Sequence, residues 1–316
     1  MEDAGDIPGL RQMLISVCIP TYRRPALLQE AIQSAIQHQH RPIEILVGDD
    51  SPTNGAEAIV ASVEGMREVQ CRYLWNRPSL GQANNINRLY REARGEYSIL
   101  LHDDDRLLPG AIDVFVKCCI RNPDVDAVYG KQIVITADGT PLLKDSETLN
   151  GDYRRIDECE GSVLSPIEAG LLQQFPNDGF LIRTELARQV PLQTRELIGE
   201  MCDFDFGVRL GLVAKRFYFV NQFTAEYRIT GVQLSANVKY EHLFQMVEEY
   251  PVPHQSEWAR AIALSRLAPQ AILEYVATGK RTKALRVYMS PHHRLVRRLS
   301  PGGLRRLGVI LFGRAA

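Results

Sequence analysis

An α/β chain built on a mainly parallel sheet with helices on both faces is the fold class this sequence predicts. Two observations carry it: apolar, β-branched runs alternate with amphipathic segments of ten to fifteen residues, and polar or acidic side chains directly follow three of those runs. The run Met13–Tyr22, "MLISVCIPTY", is continuous and stopped by Pro20, as a buried strand entering a loop would be. "PALLQEAIQSAIQHQ" follows with Leu27, Leu28, Ala31, Ile32, Ala35 and Ile36 at helical spacing, and Pro25 suits a first helical turn. "PIEILVGDDS" is a second buried strand ending in two acids. "GAEAIVASVEGM" predicts the next helix, "VQCRYLWN" a third strand, and "GQANNINRLYREARG" a helix stopped by Gly95. "EYSILLHDDD" is the fourth strand. Beyond Gly110 a helix at "AIDVFVKCCIRNP" and a strand at "DAVYGKQIVIT" are predicted, with "ADGTP" as a turn. Residues 140 to 175 read as loop-rich. "GFLIRTELARQV" then predicts a strand–helix boundary, "CDFDFGVRLGLVAK" a helix and "RFYFVNQFTAEYRI" strands, and from about residue 240 the chain reads as helical.

In an open parallel sheet, ligands bind beyond the carboxyl ends of the strands. Thr21-Tyr22-Arg23, Asp49-Asp50 and Asp103-Asp104-Asp105 all fall just past such an end, so three separate segments converge on one edge. Three adjacent carboxylates need a reason, because two of them about 5 Å apart oppose each other by roughly 3 kcal/mol at an effective dielectric of about 20. A divalent cation would offset that repulsion: magnesium and manganese typically take one or two carboxylates plus substrate phosphates. A solvated turn and a role in acid–base chemistry are the other readings of such a cluster. Neither a phosphate loop ending in Lys-Ser/Thr nor a G-x-G-x-x-G follows the first strand, which speaks against a P-loop nucleotidase or a dinucleotide-binding domain.

The 316 residues exceed the usual size of one domain, and 45% hydrophobic with 24% charged residues is ordinary globular composition. A net charge of -1 gives no electrostatic case for nucleic acid as a partner. Six cysteines without C-x-x-C spacing, an acidic start lacking a signal-peptide apolar region, and no run near the ~18 apolar residues of a membrane span lead to the expectation of a cytoplasmic protein with reduced thiols. Charge is uneven, however. From Lys280 onward there are ten Lys/Arg and no acidic residue, and "RRLSPGGLRRLGVILFGRAA" mixes arginine pairs with large apolar residues. Such a tail suits either a helix lying on an anionic membrane surface, here the inner face, or a terminal helix packed on the body with solvated arginines.

Taken in order, "SVCIPTYRR", "EILVGDDS", "NRPSLGQANNIN", "ARGEYSILLHDDDRLLPGAI", "CDFDFGVRL" and "YRITGVQLS" resemble the family 2 glycosyltransferases of the GT-A fold, over roughly Leu14 to Ser235. The resemblance implies an inverting, metal-dependent hexosyltransferase-type enzyme. It would move a sugar from a nucleoside-diphosphate sugar to a hydroxyl of a glycan, a lipid-linked acceptor or a small molecule, in the making of cell-surface polysaccharide or glycoconjugate. UDP-sugar ranks first as donor and dTDP-sugar second, with Mn2+ or Mg2+ as cofactor. Residue by residue, it implies that Tyr22 stacks on the base and Asp50 bonds its edge, while Pro20, Thr21, Arg23 and Asn87 line the nucleotide-sugar pocket. It further implies that Asp103 contacts the donor, Asp104 holds the metal and Asp203 is the general base.

Asp205 is the rival base, but residues two apart on a helix point about 200° apart, so the two acids cannot share one role. Along an extended chain Asp104 would face away from Asp103 and Asp105. The sequence departs from the family pattern at His102, where the first acid of D-x-D is common, at Cys202 before the base, at Ile86 before Asn87, and at Thr230 after "YR". A sugar-phosphate nucleotidyltransferase is the alternative from another enzyme class, although it would need a glycine-rich loop that "IPTYRRPALL" lacks. A non-catalytic nucleotide-sugar-binding relative is the second alternative. Residues 1–125 are expected to form the nucleotide-sugar-binding half, 126–238 an acceptor-binding half carrying the base, and 239–316 a helical extension.

Overall fold

A computed structural model describes residues 13–63, 68–198, 201–229 and 239–313. Thr230 and the segment that follows it in "YRITGVQLS" lie outside these residues. The strands are β1 (Ile15–Thr21), β2 (Ile43–Asp49), β3 (Val69–Trp75), β4 (Tyr97–Leu100), β5 (Arg106–Leu107), β6 (Ala127–Ile135), β7 (Phe180–Arg183) and β8 (Phe217–Arg228). Up to β8 the helices are α1 (Pro25–Ile36), α2 (Glu57–Ala61), α3 (Gln82–Glu92), α4 (Ala111–Arg121), α5 (Leu143–Asp152), α6 (Pro166–Leu171), α7 (Thr184–Gln189), α8 (Arg195–Ile198) and α9 (Cys202–Val213). After it come α10 (Tyr240–Glu249), α11 (Glu257–Ala277), α12 (Arg281–Met289), α13 (Leu295–Leu299) and α14 (Pro301–Phe312).

All eight strands join one sheet in the order β3-β2-β1-β4-β7-β6-β8-β5. β1 lies parallel to β2 and β4, β2 to β3, and β6 to β8, whereas β7 runs antiparallel to β4 and β6, and β5 to β8. The β4–β7 pairing carries the sheet across the expected boundary between residues 125 and 126. Strand alternation decides which side chain serves which face. Ile15, Val17 and Ile19 of β1 pack with Leu28, Ile32, Phe115 and Val116 of α1 and α4 on one side. Cys18 and Leu46 meet α3, α6, α9 and α11 on the other. The helices after residue 239 therefore share a core with the sheet.

Several elements differ from the sequence prediction. α2 covers only Glu57–Ala61, and the Ser62 hydroxyl donates to the Ile59 carbonyl just past its end, a side-chain bond that competes with helix continuation. Residues 140–175 hold α5 and α6 rather than loop alone. α6 is set by a capping box in which Ser165 and Glu168 bond each other's backbone amides, with Pro166 at the first helical position. "RFYFVNQFTAEYR" is one twelve-residue strand, with register shifts against β6 near Tyr129 and Lys131.

The acidic run "HDDD" is not extended. β4 ends at Leu100, and the Asp105 amide donates to the His102 carbonyl at 3.2 Å, closing a turn. The turn replaces strict alternation. It sends Asp103 toward β1 and brings Asp104 and Asp105 round to His102.

Candidate active site

The β1–α1 loop builds one wall of the site. Thr21, at the end of β1, donates its hydroxyl to Asp103 Oδ2 at 2.7 Å, and the Tyr22 amide donates to the same oxygen at 3.3 Å. Pro20 is buried within β1. The chain then turns through Arg23, whose φ of 57° lies in the left-handed region and whose amide donates to Ser51 Oγ at 2.8 Å. Its guanidinium carbon stands 5.1 Å from the centroid of the Tyr22 ring, and that ring is 50% exposed. Thr21, Arg23, Arg24, Ser51, Thr53 and Gly55 line an open cleft of about 430 Å³ between the loops after β1 and β2.

Asp50 lies at the mouth of β2, and its carboxylate accepts from four protein donors. Asn76 Nδ2 (2.6 Å) and the Leu80 amide (3.1 Å) reach Oδ1, while Ser79 Oγ (3.0 Å) and the Gly81 amide (2.7 Å) reach Oδ2. These bonds hold the loop from Asn76 to Gly81 and the start of α3. Asn87, on the buried side of α3, donates to the Leu192 carbonyl at 2.9 Å and accepts from the Leu192 amide at 2.8 Å. Its whole amide is engaged by the chain after α7, and Ile86 beside it is core.

Arg24, which sequence reasoning passed over, bridges two of the three aspartates: Nη1 lies 2.6 Å from Asp104 Oδ2 and 3.4 Å from Asp103 Oδ1. Burial pushes its proton affinity down, and the Asp104 and Asp103 charges more than reverse that. Burial also raises the Asp103 carboxyl above its ordinary range, opposed by the Thr21 bond. Asp104 is the more open of the two, with 18% of its side chain exposed.

Beneath them lies a second pair. Asp105 and Asp178 are both buried and hydrogen-bonded to each other; burial, and then the Asp178 charge, hold the Asp105 carboxyl well above the usual range. Burial raises Asp178 too, opposed by the His102 charge and the His102 amide. Asp178 accepts from the His102 amide at 3.0 Å and from Gln132 Nε2 at 3.2 Å, and Arg155 donates to Gln132 Oε1 at 2.7 Å. Asp178 reaches this place through Gly179, whose φ of 68° and close approach to Ala225 admit no side chain. On the far side Arg228, at the end of β8, donates its amide to Asp105 Oδ1 and its Nε to the Asp104 carbonyl, both at 2.7 Å. No local motif marks Asp178; Arg228 is the second residue of "YRITGVQLS".

His102, Asp104 and Asp105 each offer one ligand atom, all within 4.8 Å of one another. His102 Nε2 is shielded from solvent and has no hydrogen-bond partner. A buried ring nitrogen left unsatisfied beside two carboxylates fits a divalent cation as the missing partner. Burial lowers the basicity of His102, and the surrounding charges of Asp178, Asp203, Asp104 and Asp103 more than restore it.

Asp203 is thus within electrostatic reach of His102. It occupies the first turn of α9 and lines a second cleft, of about 230 Å³, with Gln132, Arg155, Asn177 and Tyr227. Asp205 has a different place. It is wholly buried, accepting from Arg209 Nε at 2.7 Å and from the Tyr250 hydroxyl at 2.6 Å. That carboxylate ties α9 to the segment joining α10 and α11. Cys202 is buried beside Asp203.

The family model for "Glycosyl transferase family 2" matches residues 16–177, just over half of the chain. An uncharacterised protein of Mycobacterium tuberculosis, MT1568, is 34% identical over 205 residues, which are 63% of this chain and 62% of that protein. The GalNAc(5)-diNAcBac-PP-undecaprenol beta-1,3-glucosyltransferase of Campylobacter jejuni is 28% identical over 167 residues, 50% of this chain and 53% of the relative. The chain thus spans less than two thirds of the length of these curated relatives. Among solved structures, Staphylococcus aureus TarS 1-349 in complex with UDP-GlcNAc superposes with a TM-score of 0.61 at 15% identity, covering 95% of this chain and 81% of that one. The mannosyltransferase PcManGT of Pyrobaculum calidifontis, in complex with GDP-Man and Mn2+, gives 0.54 at 15% identity, covering 94% and 87%. The structural likeness shows the GT-A fold, and the family model shows the rest: this chain belongs to glycosyl transferase family 2.

Proposed function

We propose that this chain transfers a sugar from a nucleoside-diphosphate sugar to a hydroxyl of a glycan or lipid-linked acceptor, with inversion at the anomeric carbon. The observation that carries the reading is one continuous acidic site: Asp104 with His102 and Asp105 at the sheet edge, and Asp203 close enough to act on His102 from the adjoining cleft. The nucleotide-sugar complexes of TarS and PcManGT support the donor class, and the undecaprenol-linked name of the Campylobacter relative supports a lipid-linked acceptor.

In this reading the half-exposed Tyr22 ring receives the base next to the cleft that Thr21 and Arg23 line between the β1 and β2 loops. Asp50 acts by holding the loop from Asn76 to Gly81 and the start of α3. Asp103, fixed by Thr21 and Tyr22, faces the donor. A divalent cation held by Asp104, with His102 and Asp105 in reach, would supply Lewis-acid stabilisation of the charge that grows on the leaving diphosphate. Asp203 accepts the proton of the attacking hydroxyl, and a single displacement inverts the configuration.

The test begins with thermal shifts of the full chain against UDP-, dTDP- and GDP-sugars with manganese, to name the donor. Asp203→Asn is then expected to bind that donor normally and transfer sugar at least ~100-fold more slowly. Asp104→Ala is expected to lose manganese-dependent donor binding while remaining folded. Normal turnover by Asp104→Ala, indifferent to EDTA, would overturn the metal role, and normal turnover by Asp203→Asn the base role.

A further inference from the structure

Nearly half of the large apolar side chains exposed among the described residues lie between Leu285 and Phe312. α14 explains part of this. Gly303 and Ile310, two turns apart, are its buried residues, with Gly303 seated against the end of α13. Leu304 and Leu311 lie one position further on, about 100° around the helix, and are exposed, and Phe312 beyond them is 83% exposed. α13 buries nothing: Leu295, Leu299 and Val296, the last 83% exposed, all face out. α14 thus has two apolar faces, of which the fold uses one.

The charge around these side chains has a single sign. From Lys280 to the last residue there are ten Lys/Arg and no Asp/Glu, against -1 for the whole chain. The side chains of Arg294 and Arg305 are exposed and have no hydrogen-bond or ion-pair partner among the described residues. Arg298 is held in place by the carbonyls of His293 and Ser290, and no carboxylate among the described residues pairs with it.

We propose that α13 and α14 form a surface that docks on an anionic lipid bilayer, lying in the interface without crossing it. The apolar side chains would enter the boundary between headgroups and acyl chains while the arginines meet lipid phosphates. No helix among the described residues is long and apolar enough to span. A second copy of the chain is the poorer occupant, because a symmetric contact would set arginine against arginine. The inference does not depend on the transfer reaction, so either can fail alone.

The experiment is flotation of the full chain with vesicles of phosphatidylcholine alone, and of phosphatidylcholine with about one third phosphatidylglycerol. Co-flotation is expected only with the anionic vesicles, and is expected to fall away at about 1 M salt, where the Debye length is about 3 Å. Arg294→Glu/Arg305→Glu is expected to lower partitioning at least ~10-fold, at about 1 kcal/mol per basic residue near the surface. Val296→Asp/Phe312→Asp is expected to do likewise, with unchanged melting temperature for both double variants. Failure to float with anionic vesicles overturns the proposal, as does equal flotation with neutral ones. A dimer in light scattering that Val296→Asp/Phe312→Asp dissolves, with no flotation, would assign the face to a second copy instead.

Discussion

Arg24 occupies the position from which a cation would neutralise Asp103 and Asp104. The guanidinium therefore relieves, without metal, the repulsion that three neighbouring carboxylates would otherwise generate, and it competes with whatever ion comes to Asp104. Arg24→Ala is expected to bind manganese about five-fold more tightly in the absence of nucleotide, the equivalent of about 1 kcal/mol for a partly exposed ion pair, by isothermal titration calorimetry. Asp50 makes the opposite kind of prediction. Its four donors come from one loop, so Asp50→Asn turns an amide NH2 toward N–H groups that need an acceptor. A loss of about 1–3 kcal/mol in urea unfolding is expected. The sequence made the acids visible because they stand at strand ends. It did not reveal that Asp50 accepts from four protein donors or that both ends of the Asn87 amide bond Leu192, since the loop from Asn76 to Gly81 and Leu192 come from elsewhere in the chain.

Helix α9, which carries Asp203, is held from two sides. Glycines bring α6 against it so closely that a Cβ at Gly170 would stand 2.5 Å from the Gly207 carbonyl oxygen. The Tyr250 hydroxyl anchors Asp205 from the other side. Tyr250→Phe removes a donor from a buried carboxylate, and is expected to lower stability by about 1–3 kcal/mol and to slow transfer with little change in donor KM. At the opposite wall, Gly179→Ala would put a methyl group 2.6 Å from the Ala225 Cβ at a φ of 68°, and is expected to lower the melting temperature by several degrees. Elements with a continuous apolar run or a clean helical period, β1 to β4 and α1, α3 and α4, were legible because burial wrote itself into composition. α5 was not, since only Ser146 and Asn150 of "LKDSETLNGD" are buried and neither is apolar. α6 is six residues long, but its S-x-x-E capping box at Ser165–Glu168 was a readable signal.

One buried histidine makes part of the molecule's stability sensitive to mild acid. Burial lowers the pKa of His38 to about 4, with the Asp113 carboxylate, 3.9 Å from Nδ1, offsetting only part of the effect. Between that value and the ordinary value near 6.5 the unfolded chain binds a proton that the folded chain refuses, so stability rises with pH across this window. His38 by itself is expected to withdraw about 2 kcal/mol between about pH 6.5 and pH 4.5, while the raised carboxyls of Asp105 and Asp178 act in the opposite sense. Urea midpoints of the wild-type chain and of His38→Phe across that range check it, the difference between the two slopes being the His38 share. At this scale the α/β class and the convergence of three strand ends could be read from the sequence. The one sheet joining both halves could not, because the β4–β7 pairing links residues some eighty positions apart with no local mark of it.

The bond from Tyr250 to Asp205 joins the helices after residue 239 to the helix that carries Asp203. Exchanging those helices between two relatives, as one would to graft a new membrane address onto a known transferase, also exchanges half of a buried hydrogen bond. Such a chimera must carry α9 along with them, and its natural crossover point lies before Cys202, upstream of residue 239.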